Sequence, residues 1–141
     1  MRSGRTKTLT EINNVYIQVA EYYHALQDEY RKGYFYSMGC WYKEHDTEEY
    51  EKAKIYMREF NILNEKLSTL EKAYSYVVDA LFNPSSDDAV KFTLKKFLKK
   101  AHDYEEKIYL LKLFYPLREY YPGVMDVVND TVMKGEEKSN R

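Results

Sequence analysis

The sequence predicts an all-α protein, a three- to four-helix bundle built on a long antiparallel helical hairpin with an N-terminal helix and a basic arm. Two segments of roughly 30 residues carry apolar side chains at alternating spacings of three and four, the period of a helix that packs along one face. Short runs with proline or glycine separate the segments, and a helix must end there. Because no stretch shows the apolar–polar alternation of a β-strand, we expect no sheet.

The first predicted helix covers residues 8–32. Thr8 and Glu11 have capping-box spacing, in which the two side chains satisfy backbone N–H groups at the start of a helix. A glycine ends this pattern, and aromatic residues dominate the segment 34–43. We interpret that segment either as a kinked continuation or as a second short helix.

The long hairpin is predicted from helices over residues 47–82 and 87–115. Asp46 or Thr47 caps the first of them, and its apolar positions form an unbroken a/d seam over four heptads. Pro84 ends it, and the serines that follow cap the second. The seam of the second helix consists of Val90, Leu94, Phe97, Ala101, Tyr104, Ile108, Leu111 and Tyr115.

A short helix over residues 124–134 closes the predicted fold. It follows two prolines that break the preceding helix, and Gly135 ends it. Residues 136–141 then form a polar tail. We expect a single helical domain over residues 8–135.

Composition excludes several classes of protein. The 141 residues include 22 Lys and Arg and 23 Asp and Glu, so a net charge of −1 excludes a uniformly basic nucleic-acid binder but not local positive charge. A single cysteine, Cys40, excludes a disulfide framework and favours a reducing, intracellular setting. We expect neither a signal peptide nor a membrane span. The excess of Lys and Glu over Gln and Cys is typical of hyperthermophile proteins.

Nothing in the sequence predicts an enzyme, a metal site or a cofactor. Glu21 and His24 have the Glu-x-x-His spacing of a di-iron ligand pair, but such a centre needs two of these motifs and the chain has one. Cys40 has no neighbouring base that would make it a nucleophile. We therefore expect no catalytic residues.

Two basic segments are candidates for contact with DNA phosphates. Five lysines lie between Ala89 and His102 with no carboxylate among them, and they share the helix face opposite the apolar seam. This stripe is either a solvated face or a phosphate-contacting surface. Residues 1–7 are expected to form a basic flexible arm. The candidate DNA contacts are Arg2, Arg5, Lys7, Arg31, Lys32, Lys91, Lys95, Lys96, Lys99 and Lys100.

Apolar residues in excess of the two seams indicate further packing surfaces. They lie to the side of the first seam or behind the second, and an aromatic cluster surrounds the single tryptophan. We expect the apolar residues that the other helices leave exposed to mediate assembly. Those that the other helices cover are expected to belong to the core. The assembly candidates are Trp41, Ile55, Ile62, Leu110, Leu113 and Phe114.

The layout of the whole chain resembles the major coat proteins of filamentous archaeal viruses of the lipothrixvirus and tristromavirus types. The resemblance rests on small size, long helices, the basic arm and an aromatic first helix. The residues that carry it are Arg2, Arg5, Lys7, Tyr16, Tyr22, Tyr23 and Tyr30. It implies a structural virion protein that coats linear double-stranded DNA without sequence preference. It also implies assembly into a helical nucleocapsid in the host cytoplasm, with copies of the chain or with a similar coat subunit, while contact with a membrane stays open.

The competing interpretation is a cytoplasmic protein-interaction module or regulator. Such a helical bundle would bind another protein through the Trp41 cluster or through residues 110–117 and would not bind DNA.

Overall fold

The chain is all-helical, with 91% of its residues in helices. The computed structural model describes residues 2–139, and the side chains of residues 4–135. Within residues 2–139 there is no strand. The elements are α1 (Arg2–Glu44), α2 (Thr47–Phe82), α3 (Asp87–Lys100), α4 (Tyr104–Phe114), a 3₁₀ turn (Tyr115–Glu119) and α5 (Gly123–Ser139).

The chain divides into two compact units. Unit 1 combines the chain up to Gln18 with the chain from Thr69 onward, and unit 2 is Val19–Ser68. Helices α1 and α2 each contribute residues to both units.

In unit 2, a two-residue turn joins α1 to α2. His45 has a φ of 55°, in the left-handed region, and its N–H donates to the carbonyl of Trp41 over 2.7 Å. This bond closes the last turn of α1. Asp46 then caps α2, since its Oδ1 accepts the N–H of Glu48 over 3.0 Å. The chain therefore reverses direction between Glu44 and Thr47.

The two helices of unit 2 approach closely at a glycine. A Cβ on Gly33 would lie 3.0 Å from the ring of Tyr56, so a larger residue would press on that ring. Tyr56 also packs on Tyr30, with 6.3 Å between ring centroids. Nearby, the buried Gln27 donates from Nε2 to Oδ1 of Asn64 over 2.5 Å. Antiparallel contacts between α1 and α2 thus hold unit 2 together.

In unit 1, the last part of α2 packs against the C-terminal helices. The buried hydroxyl of Tyr121 donates to the carbonyl of Ala80 over 2.6 Å and accepts the N–H of Ser85 over 3.1 Å. Phe114 stacks on Tyr76 with 6.0 Å between ring centroids. The core of this unit includes Val77, Val90, Leu94, Leu110, Leu113, Phe114, Leu117 and Val124.

The first part of α1 joins unit 1 through tyrosines. Tyr74 donates from its hydroxyl to Oδ1 of Asn13 over 2.5 Å, and its ring lies 4.4 Å from that of Tyr16. Burial, followed by the charges of Glu71 and Tyr74, raises the pKa of Tyr16 above its ordinary value.

Helix α1 differs from its prediction at its start and in its length. It begins at Arg2, so residues 2–7 form its first turns and not a separate arm. Thr8 is not a cap, because its hydroxyl donates to the carbonyl of Gly4 one turn earlier. The helix also continues past residue 33 to Glu44, so the aromatic segment belongs to the same helix.

The predicted helix 87–115 is wrong, because two helices occupy this segment. Asp103 accepts the N–H of Glu106 over 2.8 Å, and Glu106 Oε1 accepts the N–H of His102 over 2.7 Å. Asp103 is therefore the N-cap of a new helix, and Glu106 in its first turn bonds back to the residue before the cap. Ala101 is extended, with ψ of 140°, and ends α3.

The remaining bounds lie close to their predictions, except the end of the last helix. Helix α2 spans the expected residues, and Ser86 caps α3 by accepting the N–H of Ala89 over 3.1 Å. Helix α5 runs beyond residue 134 to Ser139, into the segment expected to be a polar tail. Of that tail, Asn140 and Arg141 lie outside the described residues.

Candidate nucleic-acid interface

Helix α3 presents its lysines to solvent because its apolar residues face the core. Val90, Leu94 and Leu98 are buried along one side. The residues on the opposite side are Phe92, Lys95, Lys96, Lys99 and Lys100, and all of them are exposed. Like charges one turn apart destabilise a helix by about 0.2–0.5 kcal/mol per pair, so this face has an energetic cost in the free protein.

The turn after α3 brings residues of α4 beside the lysines. The caps at Ala101 and Asp103 fix this turn, and the nearly buried carboxylate of Glu106 also lies 3.1 Å from Nδ1 of His102. Tyr104 and Lys107, one turn apart on α4, contribute to the same surface as the lysines of α3.

Helix α5 completes this surface. The N–H of Gly123 donates to Oδ1 of Asp87 over 2.8 Å, which ties the start of α5 to the start of α3. Lys91 and Asp126 form an ion pair over 3.8 Å. Near the end of α5, a Cβ on Gly135 would collide with the ring of Tyr104, so the two helices approach closely there.

Together α3, α4 and α5 enclose a groove of about 720 Å³, here called the lysine groove. Phe92 and Tyr104 line it and are 68% and 46% exposed. Its charged residues are Lys95, Lys96, Lys99, Lys107, Lys134 and Asp130, and Lys134 lies 3.1 Å from Asp130. Five lysines against one aspartate make the groove strongly positive, while the whole chain has a net charge of −1.

Three lysines of the predicted stripe line this groove, namely Lys95, Lys96 and Lys99. Lys91 is instead paired with Asp126, and Lys100 is exposed outside the groove. Lys134 was missed because it lies on another helix. Lys107 was missed because the prediction of one continuous helix over residues 87–115 left out the turn that brings it beside the stripe. The available signal for that turn was the Asp-x-x-Glu spacing of residues 103 and 106, which is typical of a helix start.

The other predicted DNA contacts lie on α1. In unit 1, Arg5 and Lys7 are exposed near the start of the helix, while the side chain of Arg2 lies outside the described part of the chain. In unit 2, Arg31 and Lys32 are exposed, and Arg31 pairs with Asp28 over 2.8 Å. Of these residues, the four whose side chains are described do not line the lysine groove.

Three assembly candidates belong to the core, which corrects the prediction of a subunit contact there. Leu110 is 1% exposed, and Leu113 and Phe114 are fully buried. The reason is the break before α4. A continuous helix would put these residues behind the apolar seam, whereas the separate helix α4 turns them toward the core. There the ring of Phe114 packs against that of Phe97, with 6.1 Å between ring centroids.

The remaining assembly candidates lie in unit 2. Ile55 is half exposed, and Ile62 and Trp41 are partly buried. Trp41 packs on Tyr50 of α2, with 5.1 Å between ring centroids. An apolar depression of about 160 Å³ lies nearby in the same unit, between residues 30–35 and 56–60.

The aromatic side chains left exposed in unit 2 were not predicted as a group. They are Tyr22, Phe35, Tyr36 and Tyr42 of α1, and Tyr36 is the most exposed at 73%. Residues 35 and 42 are seven apart and share one helix face.

The residues that the sequence raised as metal or nucleophile candidates can also be placed in the structure. Within them there is no group of three or more His, Cys, Asp or Glu side chains that could hold a metal ion. Glu21 and His24 are both exposed, and Cys40 is a partly buried thiol. None of the helices, over the residues described, has both the length and the apolar character to cross a membrane.

Comparison of the chain with family models, with curated protein sequences and with solved structures gives no match.

Proposed function

We propose that this protein is a structural, DNA-associated virion protein that coats linear double-stranded DNA and assembles into a helical nucleocapsid. The observation that carries this proposal is the lysine groove, where five lysines meet one aspartate in a chain with net charge −1. We further propose that the helices form a bundle within the virion, assembled in the host cytoplasm.

The charge of the groove suits phosphate groups. Each phosphate neutralised by a lysine releases a condensed counterion, and this release supplies most of the affinity of sequence-independent binding. Neighbouring lysines on α3 repel one another in the free protein, and bound phosphates would remove that repulsion. The exposed Arg5 and Lys7 at the start of α1 belong to the same unit and extend the contact.

The composition of the groove favours binding without sequence preference. Bases are read mainly by Arg, Asn and Gln, which make paired hydrogen bonds in the major groove. The polar side chains of the lysine groove are lysines together with Asp130, Thr131 and Tyr104. Lysines act as point charges toward phosphates, and phosphate contacts carry no sequence information.

Assembly is proposed to use the exposed aromatic side chains of unit 2. Phe35, Tyr36 and Tyr42, with Ile55 on α2, expose apolar area that another copy of the chain or a similar coat subunit would bury. The same side chains favour the alternative function, a cytoplasmic helical protein-interaction module that does not bind DNA.

Salt dependence of DNA binding tests the proposal. The groove variant changes Lys95, Lys96 and Lys99 to Gln. A matched control changes three exposed lysines outside the groove to Gln, namely Lys43, Lys72 and Lys112. Since each lost contact reduces the slope of log K against log salt by about 0.9, the groove variant should reduce it by up to about 2.7. The control should leave the slope nearly unchanged.

Two results would contradict the coat-protein function. One is wild-type protein that binds duplex DNA equally at about 50 and 500 mM salt, or does not bind it. The other is an equal loss in the groove variant and the control. Electron microscopy of the protein mixed with linear duplex DNA then separates the two candidate functions, since a coat protein should form regular filaments.

A further inference from the structure

The volume of the lysine groove is larger than contact with duplex phosphates alone requires. Its volume of about 720 Å³ lies in the range of pockets that enclose a ligand, roughly 300–1,000 Å³. Phosphates on a duplex surround a stack of paired bases and meet a protein at its surface. A charged surface is enough for such contacts, so a groove of this volume has room for another component of the ligand.

Phe92 supplies the first apolar wall. It lies one turn before Lys95 and Lys96 on α3 and points away from the buried side of Val90 and Leu94. At 68% exposure it keeps most of its ring in water, surrounded by positive charge. An exposed ring among cations is the arrangement by which proteins hold single strands, where bases stack on aromatic side chains and phosphates meet basic ones.

Tyr104 supplies a second ring, and its position is fixed. The caps at Asp103 and Glu106 set the start of α4, and the absence of a side chain at Gly135 lets α5 approach the ring. Tyr104 nevertheless remains 46% exposed inside the groove. A ring held in place by two neighbouring elements is a ready stacking platform, because little freedom is lost when a base binds.

The number of lysines indicates the charge of the ligand. A single carboxylate or phosphate group would engage one or two of them, whereas five lysines match several phosphates in succession. A chain of nucleotides offers this charge together with flat rings. We propose that the lysine groove binds unpaired nucleotides of a DNA strand, with bases against Phe92 and Tyr104 and phosphates at the lysines. This proposal rests on the proposed DNA association but does not require that duplex DNA be coated.

The test compares three fluorescent probes by anisotropy at low salt: a short oligothymidine strand, the same backbone with abasic sites, and a blunt duplex. Loss of one stacking contact costs about 5- to 150-fold in Kd, so Phe92→Ala should weaken oligothymidine binding by that factor. The variant should bind the abasic strand and the duplex as wild type does. Phe82→Ala is the matched control, because Phe82 is also an exposed phenylalanine but lies outside the groove.

The outcomes separate this proposal from the coat-protein function. Base-dependent loss in Phe92→Ala supports the groove proposal even if wild-type protein does not bind the duplex, a result that would remove the coat-protein function alone. Equal affinity of wild-type protein for oligothymidine and the abasic strand would overturn the groove proposal. So would equal oligothymidine binding by Phe92→Ala and Phe82→Ala, with circular dichroism confirming that both variants are folded.

Discussion

The close approach of α1 and α2 in unit 2 predicts opposite effects of the same substitution at two glycines. Gly33 and Gly39 both lie inside α1, where glycine costs roughly 0.5–1 kcal/mol relative to alanine because it loses more backbone freedom on folding. A Cβ at position 39 would meet no atom within 4 Å. Gly39→Ala should therefore raise the free energy of unfolding by roughly 0.5–1 kcal/mol.

At Gly33 an added Cβ would come too close to a neighbouring aromatic ring. It would lie 3.0 Å from two atoms of the Tyr56 ring and 3.1 Å from a third. Tyr56 cannot move freely, because it is partly buried and packs on Tyr30. Overpacking of this kind costs about 1–3 kcal/mol, which offsets or exceeds the gain in helix propensity. The net change expected for Gly33→Ala is a destabilisation of about 0–2.5 kcal/mol.

Urea unfolding followed by circular dichroism measures both changes, with the slope m checked for constancy. The unfolding midpoint should rise for Gly39→Ala and stay equal or fall for Gly33→Ala. A second background identifies the cause, because Tyr56→Leu removes the ring that the new carbon meets. In that background Gly33→Ala should become stabilising. If Gly33→Ala stabilises the otherwise wild-type protein as much as Gly39→Ala does, the helix contact described for unit 2 is wrong.

Four further substitutions, one of them with a matched control, test other contacts of the fold by urea unfolding. Tyr121→Phe leaves a carbonyl and an N–H without the hydroxyl, which should cost about 1–3 kcal/mol. Asp87→Ala removes the acceptor at the start of α5 and should cost about 1 kcal/mol, whereas Asp88→Ala, which does not accept that N–H, should cost less than about 0.5 kcal/mol. His45→Gly should stabilise by about 0.5–1 kcal/mol, because its φ of 55° is strained for a side chain. Tyr16→Phe should weaken the pH dependence at alkaline pH. The raised pKa of Tyr16 means that its contribution to stability is complete below pH 10.0 and is lost as the pH rises through the raised value. Each contact would be contradicted by a different result. For Tyr121→Phe and Asp87→Ala that result is unchanged stability, and for His45→Gly it is a loss of stability. For Tyr16→Phe it is a pH profile of stability that matches the wild-type profile.

Local signals in the sequence predicted both ends of α2 and the start of α3. Proline at position 84 and the polar residues after it set the end of α2 and the cap of α3, and these effects act within one turn. The break before α4 was missed because Ala101, Tyr104 and Ile108 continue the three–four spacing across it. Two capping residues at 103 and 106 outweigh that spacing, and the burial of the whole segment changes as a result.

The sequence predicted only the part of the candidate site that lies on a single helix. Lys95, Lys96 and Lys99 share a face of α3, which the period of the helix predicts. Lys107 joins them through the turn after α3, and Lys134 joins them through the docking of α5, a contact between residues distant in sequence. Phe92 and Tyr104 were missed as a pair because the turn between α3 and α4 was not predicted.

The first turns of α1 have a consequence for how binding and folding are linked. The peptide dipoles of this 43-residue helix sum to a partial positive charge at its N-terminus. No acidic residue lies in the first turn, and the exposed Arg5 and Lys7 add further positive charge. A phosphate arriving at this end interacts favourably with both the dipole and the side chains. Under the proposed DNA association, a bound phosphate should therefore make the start of α1 more stable, and fraying of this helix should decrease when DNA is added.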